Sequence, residues 1–188
     1  AAAGQLGAAR VVLAREMSLG EIAAASASGV ATEVFAQGAL CFCVSGRCLL
    51  SSWVGGRSAN RGMCTSPCRV PWTIDSRQSS TPLSMRDLAV VERLREIAAA
   101  GVAALKIEGR LKNAAWVRQA VGLYRQALSG GDPASLRKQA DQLGAYSGRE
   151  MTCAYLDGLR DRLTGTFGRP PAENAADLER QGPTEQTK

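Results

Sequence analysis

Three short apolar runs, each set beside a helical pattern, constrain the fold of this chain more than any other feature. They are Arg10–Ala14 (RVVLA), Glu33–Ala36 (EVFA) and Ala104–Ile107 (ALKI), and their length suits buried strands. Ser18 and Glu21 form a capping box for a helix through about Ala25. Ser84 and Asp87 repeat that signal ahead of a longer helix, Met85 to Ala100. There Leu88, Val91, Leu94, Arg95 and Ala98 recur at three and four, and Gly101 supplies a left-handed stop. A third helix is expected from about Asn113 to Leu128, with Trp116, Val117, Ala120, Leu123, Tyr124 and Ala127 on one face.

Strand, helix, strand, helix predicts an α/β fold with a parallel sheet and helices outside, an order that suits a (β/α) barrel of the TIM type. Functional residues of such folds sit at the C-terminal ends of strands. Here those ends carry Arg15 and Glu16, Gln37, and Glu108 and Arg110. They are either the rim of an active site or ordinary loop polars. Lys106 lies inside its strand and is expected to join this rim or point into the barrel, with Glu108, two residues on, as its partner. The second and third runs are expected to be parallel neighbours, with Met85–Ala100 packed outside them.

Three strand–helix units are too few for a barrel, which takes eight, and 188 residues fall short of the usual about 250. Residues 1–128 therefore read as part of a barrel or as a smaller open sheet. Gly130-Gly131-Asp132-Pro133 breaks the pattern, and one modest helix follows, Ala134 to about Leu143, in a helical extension over 129–169. Residues 170–188 are polar and are expected to be disordered.

The formal charge is +6, which suits a phosphate-rich partner such as RNA. Arg47, Arg57, Arg61, Arg69 and Arg77 fall in one irregular segment, readable as a solvated loop or as an anion site. No eighteen-residue apolar run exists and the N-terminus has no signal-peptide pattern, so a cytoplasmic protein without membrane contact is expected. There is no histidine, which removes Ser-His-Asp and Cys-His machinery from within the chain. Any metal here would be held by sulfur or carboxylate oxygen.

Five of the six cysteines, Cys41, Cys43, Cys48, Cys64 and Cys68, fall within 28 residues. In a cytosolic chain such clustering favours metal or catalysis over disulfides. Cys41, Cys48, Cys64 and Cys68 could hold an iron–sulfur cluster, with neighbouring backbone N–H groups donating to its sulfurs. Zinc on four thiolates and plain buried cysteine are the alternatives, and the spacing fits no ferredoxin or zinc-ribbon pattern.

At these residues the chain resembles a known family. Gly7 to Glu16, then EVFAQGALCFCVSGRCLLSSWVGGRSANRGMCTSPCR, then PLSMRDL and LKIEGRLK, closely resemble the collagenase-like peptidases (peptidase family U32) over about Gly7 to Leu128. The resemblance implies the second half of a barrel-like domain, with the first half missing. It also implies one of three activities: oxygen-independent hydroxylation of a ribosomal RNA cytidine, of a transfer RNA uridine, or of a ubiquinone precursor. With these come a cysteine-bound iron–sulfur cluster of the 4Fe-4S kind, and in one RNA-modifying branch prephenate as hydroxyl donor. The short connection from Cys68 to Ser84 looks more like the ribosomal-RNA branch. On this reading Cys41, Cys48, Cys64 and Cys68 are ligands, Arg57, Asn60, Arg61 and Arg69 contact cofactor or RNA phosphate, and Arg15, Glu16, Gln37, Lys106, Glu108 and Arg110 form the catalytic rim. A peptidase, using Glu16, Glu33 or Glu108 to activate water, and a non-catalytic metal-binding remnant are the competing readings. The chain departs from the family twice: Gln37 stands where His is usual, and Ala89 where many members have Cys.

Overall fold

The computed structural model describes residues 2–74, 77–78, 81–110, 112–160 and 163–164. The expected tail from 170 to 188 lies outside them. In chain order the elements are α1 (Ala2–Gln5), β1 (Arg10–Val12), α2 (Leu19–Ser26), β2 (Ala31–Ala39), α3 (Leu50–Gly55), β3 (Thr73–Ile74), β4 (Arg77–Gln78), β5 (Asp87–Ala89), α4 (Leu94–Ala99), β6 (Ala104–Ile107), α5 (Ala114–Leu128), α6 (Pro133–Ala145) and β7 (Met151–Thr152). The three apolar runs all become strands, and the fold is mixed α/β.

The long strand β2 organises the sheet. Its first half pairs in parallel with β1 on one edge (Val11 opposite Thr32) and with β6 on the other (Val34 opposite Leu105). The second and third runs are thus parallel neighbours, as expected from the crossover between them. The register shifts between Phe35 and Gln37, a bulge that turns both Ala36 and Gln37 inward. Beyond it, Gln37–Ala39 pair antiparallel with β5, and β5 pairs in parallel with β7. The sheet among the described residues is open rather than closed on itself.

The expected helix Met85–Ala100 is corrected. Its first part is β5, followed by a 3-10 turn at Val91–Arg93, and only Leu94–Ala99 is α-helical. Leu88, Ala89, Val90 and Val91 are four consecutive buried residues, more than one stripe of a helix can hide, and β-branched valines favour extended backbone. The presumed cap is used elsewhere. Ser84 accepts from Arg69, and Asp87 takes a bidentate ion pair from Arg149 at 2.7 and 3.1 Å. Gly101 does end the helix at φ 81°.

The other helices follow their sequence signals. Ser18 and Glu21 form the expected capping box of α2. Asn113 caps α5 by accepting from the Trp116 amide at 2.8 Å. Asp132 caps α6, which starts at Pro133. The core joins Val34 and Ala36 to Ile22 of α2, Ile97 of α4, Trp116, Ala120 and Leu123 of α5, and Leu136 and Leu143 of α6. The Tyr124 hydroxyl donates to the Ala36 carbonyl beside the bulge and receives the Val90 amide at 3.1 Å. The Val90 amide also donates directly to the Ala36 carbonyl at 3.1 Å, so that one side chain buttresses a backbone bond beside the irregular part of the ladder. No helix among the described residues is long and apolar enough to cross a membrane.

Candidate functional site

The site is built where β1, β2 and β6 end. Phe35 lies at its centre on the face of β2 away from Val34 and Ala36, with the Arg15 guanidinium 4.0 Å from its ring centroid and Lys106 Nζ 5.6 Å from it. Arg15 forms an ion pair with Glu108. Lys106 pairs with Glu33 at 3.5 Å rather than with Glu108, because the β2–β6 register sets Phe35 opposite Lys106 and brings Glu33, on the same face, within reach. Glu33 also binds Arg10 at 3.0 Å. Gly38 at φ 136° lets β2 run against Glu108: a Cβ there would stand 2.7 Å from the Glu108 Cβ.

Three of the six rim candidates, Arg15, Lys106 and Glu108, therefore gather around Phe35; the others do not. Gln37 is fully buried, bonded to the Tyr124 hydroxyl at 3.0 Å and to Met151 Sδ at 3.6 Å. Its bulge turns it into the core, so it supports the sheet and does not face the rim. It is also the direct cross-strand partner of Ala89. The two departures from the family pattern thus meet across one rung of the sheet. Glu16 turns to the cysteine segment, accepting from the Ser45 amide at 2.7 Å and its hydroxyl at 2.9 Å. Arg110 also turns there, reaching the Gly62 carbonyl at 3.5 Å, the outer limit of a hydrogen bond.

The cysteine segment leaves β2 at Leu40 and returns to the sheet near Met85. It is held by polar stitches. Ser51, fully buried, donates to the Arg57 carbonyl at 2.7 Å and receives the Thr65 amide at 3.1 Å. Gly55 packs against Thr65 so closely that a Cβ would lie 2.0 Å from its hydroxyl. Asn60 brackets the Cys48 backbone, accepting from its N–H at 2.9 Å and donating to its carbonyl at 3.0 Å. Arg69 donates to the Leu40 carbonyl at 2.6 Å, to Ser84 at 3.0 Å and to the Met85 carbonyl. Asn60 and Arg69 are thus spent on positioning the loop. Arg57 and Arg61 remain exposed, and the side chain of Arg77 lies outside the described residues.

The segment brings its thiols into one neighbourhood. Burial pushes the Cys41 thiol up, and the nearby Cys48 and Cys64 thiols add to the effect. Burial and a hydrogen bond with Cys48 push Cys43 up to about 12. Burial raises Cys68 as well, with Cys41 and Cys64 close enough to contribute and Arg69 opposing. The Ser66 amide points at Cys64 Sγ, 3.3 Å away. Among the described residues no three Cys, Asp or Glu side chains are disposed to hold a metal ion. The donor set fits a thiolate-bound group in its chemistry, with several thiols and an N–H directed at sulfur; ligand distances are not formed. Cys153 belongs to another place, packed against the hydrophobic core at the turn after β7.

Fold and site together define an α/β protein whose strand ends carry ion-paired arginine and carboxylate beneath a cysteine-rich loop. Residues 1–164 match the family described as Peptidase family U32, and the chain belongs to it. It is 40% identical over 147 residues to the 23S rRNA 5-hydroxycytidine C2501 synthase of Escherichia coli (strain K12), covering 74% of this chain and 22% of that protein. It is 32% identical over 179 residues to tRNA hydroxylation protein P1 of Bacillus subtilis (strain 168), covering 85% and 42%. A protein named collagenase from Porphyromonas gingivalis (strain ATCC BAA-308 / W83) is 30% identical over 175 residues, covering 80% and 42%. The chain spans less than half the length of each of these relatives. No solved structure matches it.

One signal in the sequence went unread. From Val34 to Ile74 there is no Asp or Glu, yet four arginines. That acid-free stretch delimits the cysteine segment more sharply than the cysteine spacing does.

Proposed function

We propose that this chain is the part of an RNA-hydroxylating enzyme that holds its redox group, acting on a base of ribosomal RNA and replacing C–H by C–OH without molecular oxygen. Cys41, Cys48, Cys64 and Cys68 would hold an iron–sulfur cluster, which when bound supplies one-electron chemistry. Asn60 fixes the backbone of Cys48, and Arg69 ties the end of the loop to Leu40 and Met85, so both act on the position of the ligands. Arg15, held in place by Glu108, is the group that would bind and orient a polar anionic substrate, with prephenate as the candidate hydroxyl donor. On the same reading the open sheet is one part of a (β/α) barrel, and Arg10, Glu33 and Lys106 face its interior.

The observation that carries this is the convergence of the segment's thiols into one neighbourhood within the acid-free stretch from Val34 to Ile74. The peptidase reading draws on the name of the Porphyromonas relative, but its three carboxylates are engaged: Glu16 by Ser45, Glu33 by Arg10 and Lys106, Glu108 by Arg15. The test is anaerobic purification with iron, sulfide and zinc analysis. Iron and sulfide in equal amounts are expected, lost in Cys48→Ser and kept in Cys153→Ser. Zinc alone, or iron that survives Cys48→Ser, defeats the proposal.

A further inference from the structure

The cysteine segment exposes what a folded chain ordinarily hides. Of the twelve large apolar side chains most open to solvent, seven lie between Phe42 and Val70. Trp53 is the most exposed of these seven, at 86%, whereas Trp116 in the core is 1% exposed. An exposed cluster of this kind marks an interaction surface. Its charge is one-signed. Arg47, Arg57 and Arg61 are exposed, and among the described residues no ion pair engages them. Glu16, which reaches into the loop from the end of β1, is spent on Ser45.

The surface is also preorganised. Trp53 stands on α3, which ends at Gly56 in the left-handed conformation, and Arg57 follows directly. Ser51, two residues before Trp53, ties that helix to residues 57 and 65, and Asn60 ties the turn before Arg61 to Cys48. An exposed aromatic face on a hydrogen-bonded loop that also exposes guanidinium groups free of ion pairs is the arrangement that takes single-stranded nucleic acid: the ring stacks a base and the cations meet flanking phosphates. Neither a purely apolar partner nor an acid-free lipid surface has a use for both.

We propose that Trp53, with Arg57 and Arg61 beside it, is a stacking platform for an unpaired base of single-stranded RNA. The inference rests on the RNA reading above and names how that substrate is gripped. Substitution at Trp53 should leave the fold intact, since the side chain is 86% exposed.

The experiment uses the whole chain and a short, unstructured, fluorescein-labelled oligoribonucleotide, with binding read by anisotropy at several salt concentrations. Trp53→Ala is expected to weaken binding about 5- to 100-fold. Trp53→Phe should retain most of the affinity while abolishing the tryptophan quenching that RNA produces in the wild type. Replacing Arg57 and Arg61 together by Ala should lower the slope of log affinity against log salt by about 1.4. Wild-type affinity in Trp53→Ala overturns the platform and leaves the RNA reading standing. Trp53-dependent binding without any hydroxylation of the RNA keeps the platform and removes the reading. Binding to phosphatidylserine vesicles with none to RNA overturns the platform in favour of a lipid surface.

Discussion

The sheet with its helices and the cysteine segment are stabilised by different physics. The first buries a continuous apolar cluster in which Trp116, Ala36 and Ala120 are at or below 1% exposure. Among the described residues the second contributes no hydrophobic side chain to that cluster between Leu40 and Met85, and hides mainly Ser51 and Pro67. Burial at about 25 cal/mol per Å² stabilises the body collectively, whereas the segment depends on a few hydrogen bonds of about 1 kcal/mol each. The difference teaches that the chemistry-bearing part can reorganise while the body stays folded, because the two share little packing.

That contrast can be broken at its strongest point first. Trp116→Ala should cost about 3–5 kcal/mol, since it opens a cavity and strands the Leu143 carbonyl that its ring N–H meets at 3.2 Å. Chemical denaturation should register the whole loss as a lower midpoint for the entire molecule. An effect confined to the cysteine segment would overturn the division into two regions. Arg69→Met comes next. It removes the donors to Leu40, Ser84 and Met85, and should cost about 2 kcal/mol locally. Amide exchange across 41–70 should accelerate while α5 stays protected; equal acceleration in α5 would mean that Arg69 belongs to the body. Glu33→Gln should matter least. Its partners Arg10 and Lys106 are 55% and 42% exposed, so the change should stay below about 1 kcal/mol and shrink in high salt.

The body was largely legible in the sequence because its signals are local. Ser18 and Glu21, or Asn113 with the Trp116–Ala120–Leu123 spacing, carry their own caps and period. The failure at Met85–Ala100 has the opposite origin. Asp87 looks like a helix cap until Arg149, sixty-two residues later, claims it, and an apolar run of four reads equally well as strand or helix. The site was legible as residue types and less so as contacts. The positions at strand ends picked out Arg15, Lys106 and Glu108, but nothing local said that Lys106 would take Glu33 as its partner, or that Gln37 would turn inward at a bulge. Register decides both, and register is a property of the assembled sheet.

Glu16 gives the arrangement a mechanical side. Its carboxylate holds Ser45 inside the cysteine segment, and its neighbour Arg15 holds Glu108 at the end of β6. Two adjacent residues on one short stretch after β1 thus pull on two different loops. The pair works as a yoke: one backbone step joins the anchor of the thiol-bearing loop to the charged floor at the end of β6, so the two are placed relative to each other by a single peptide and two polar contacts.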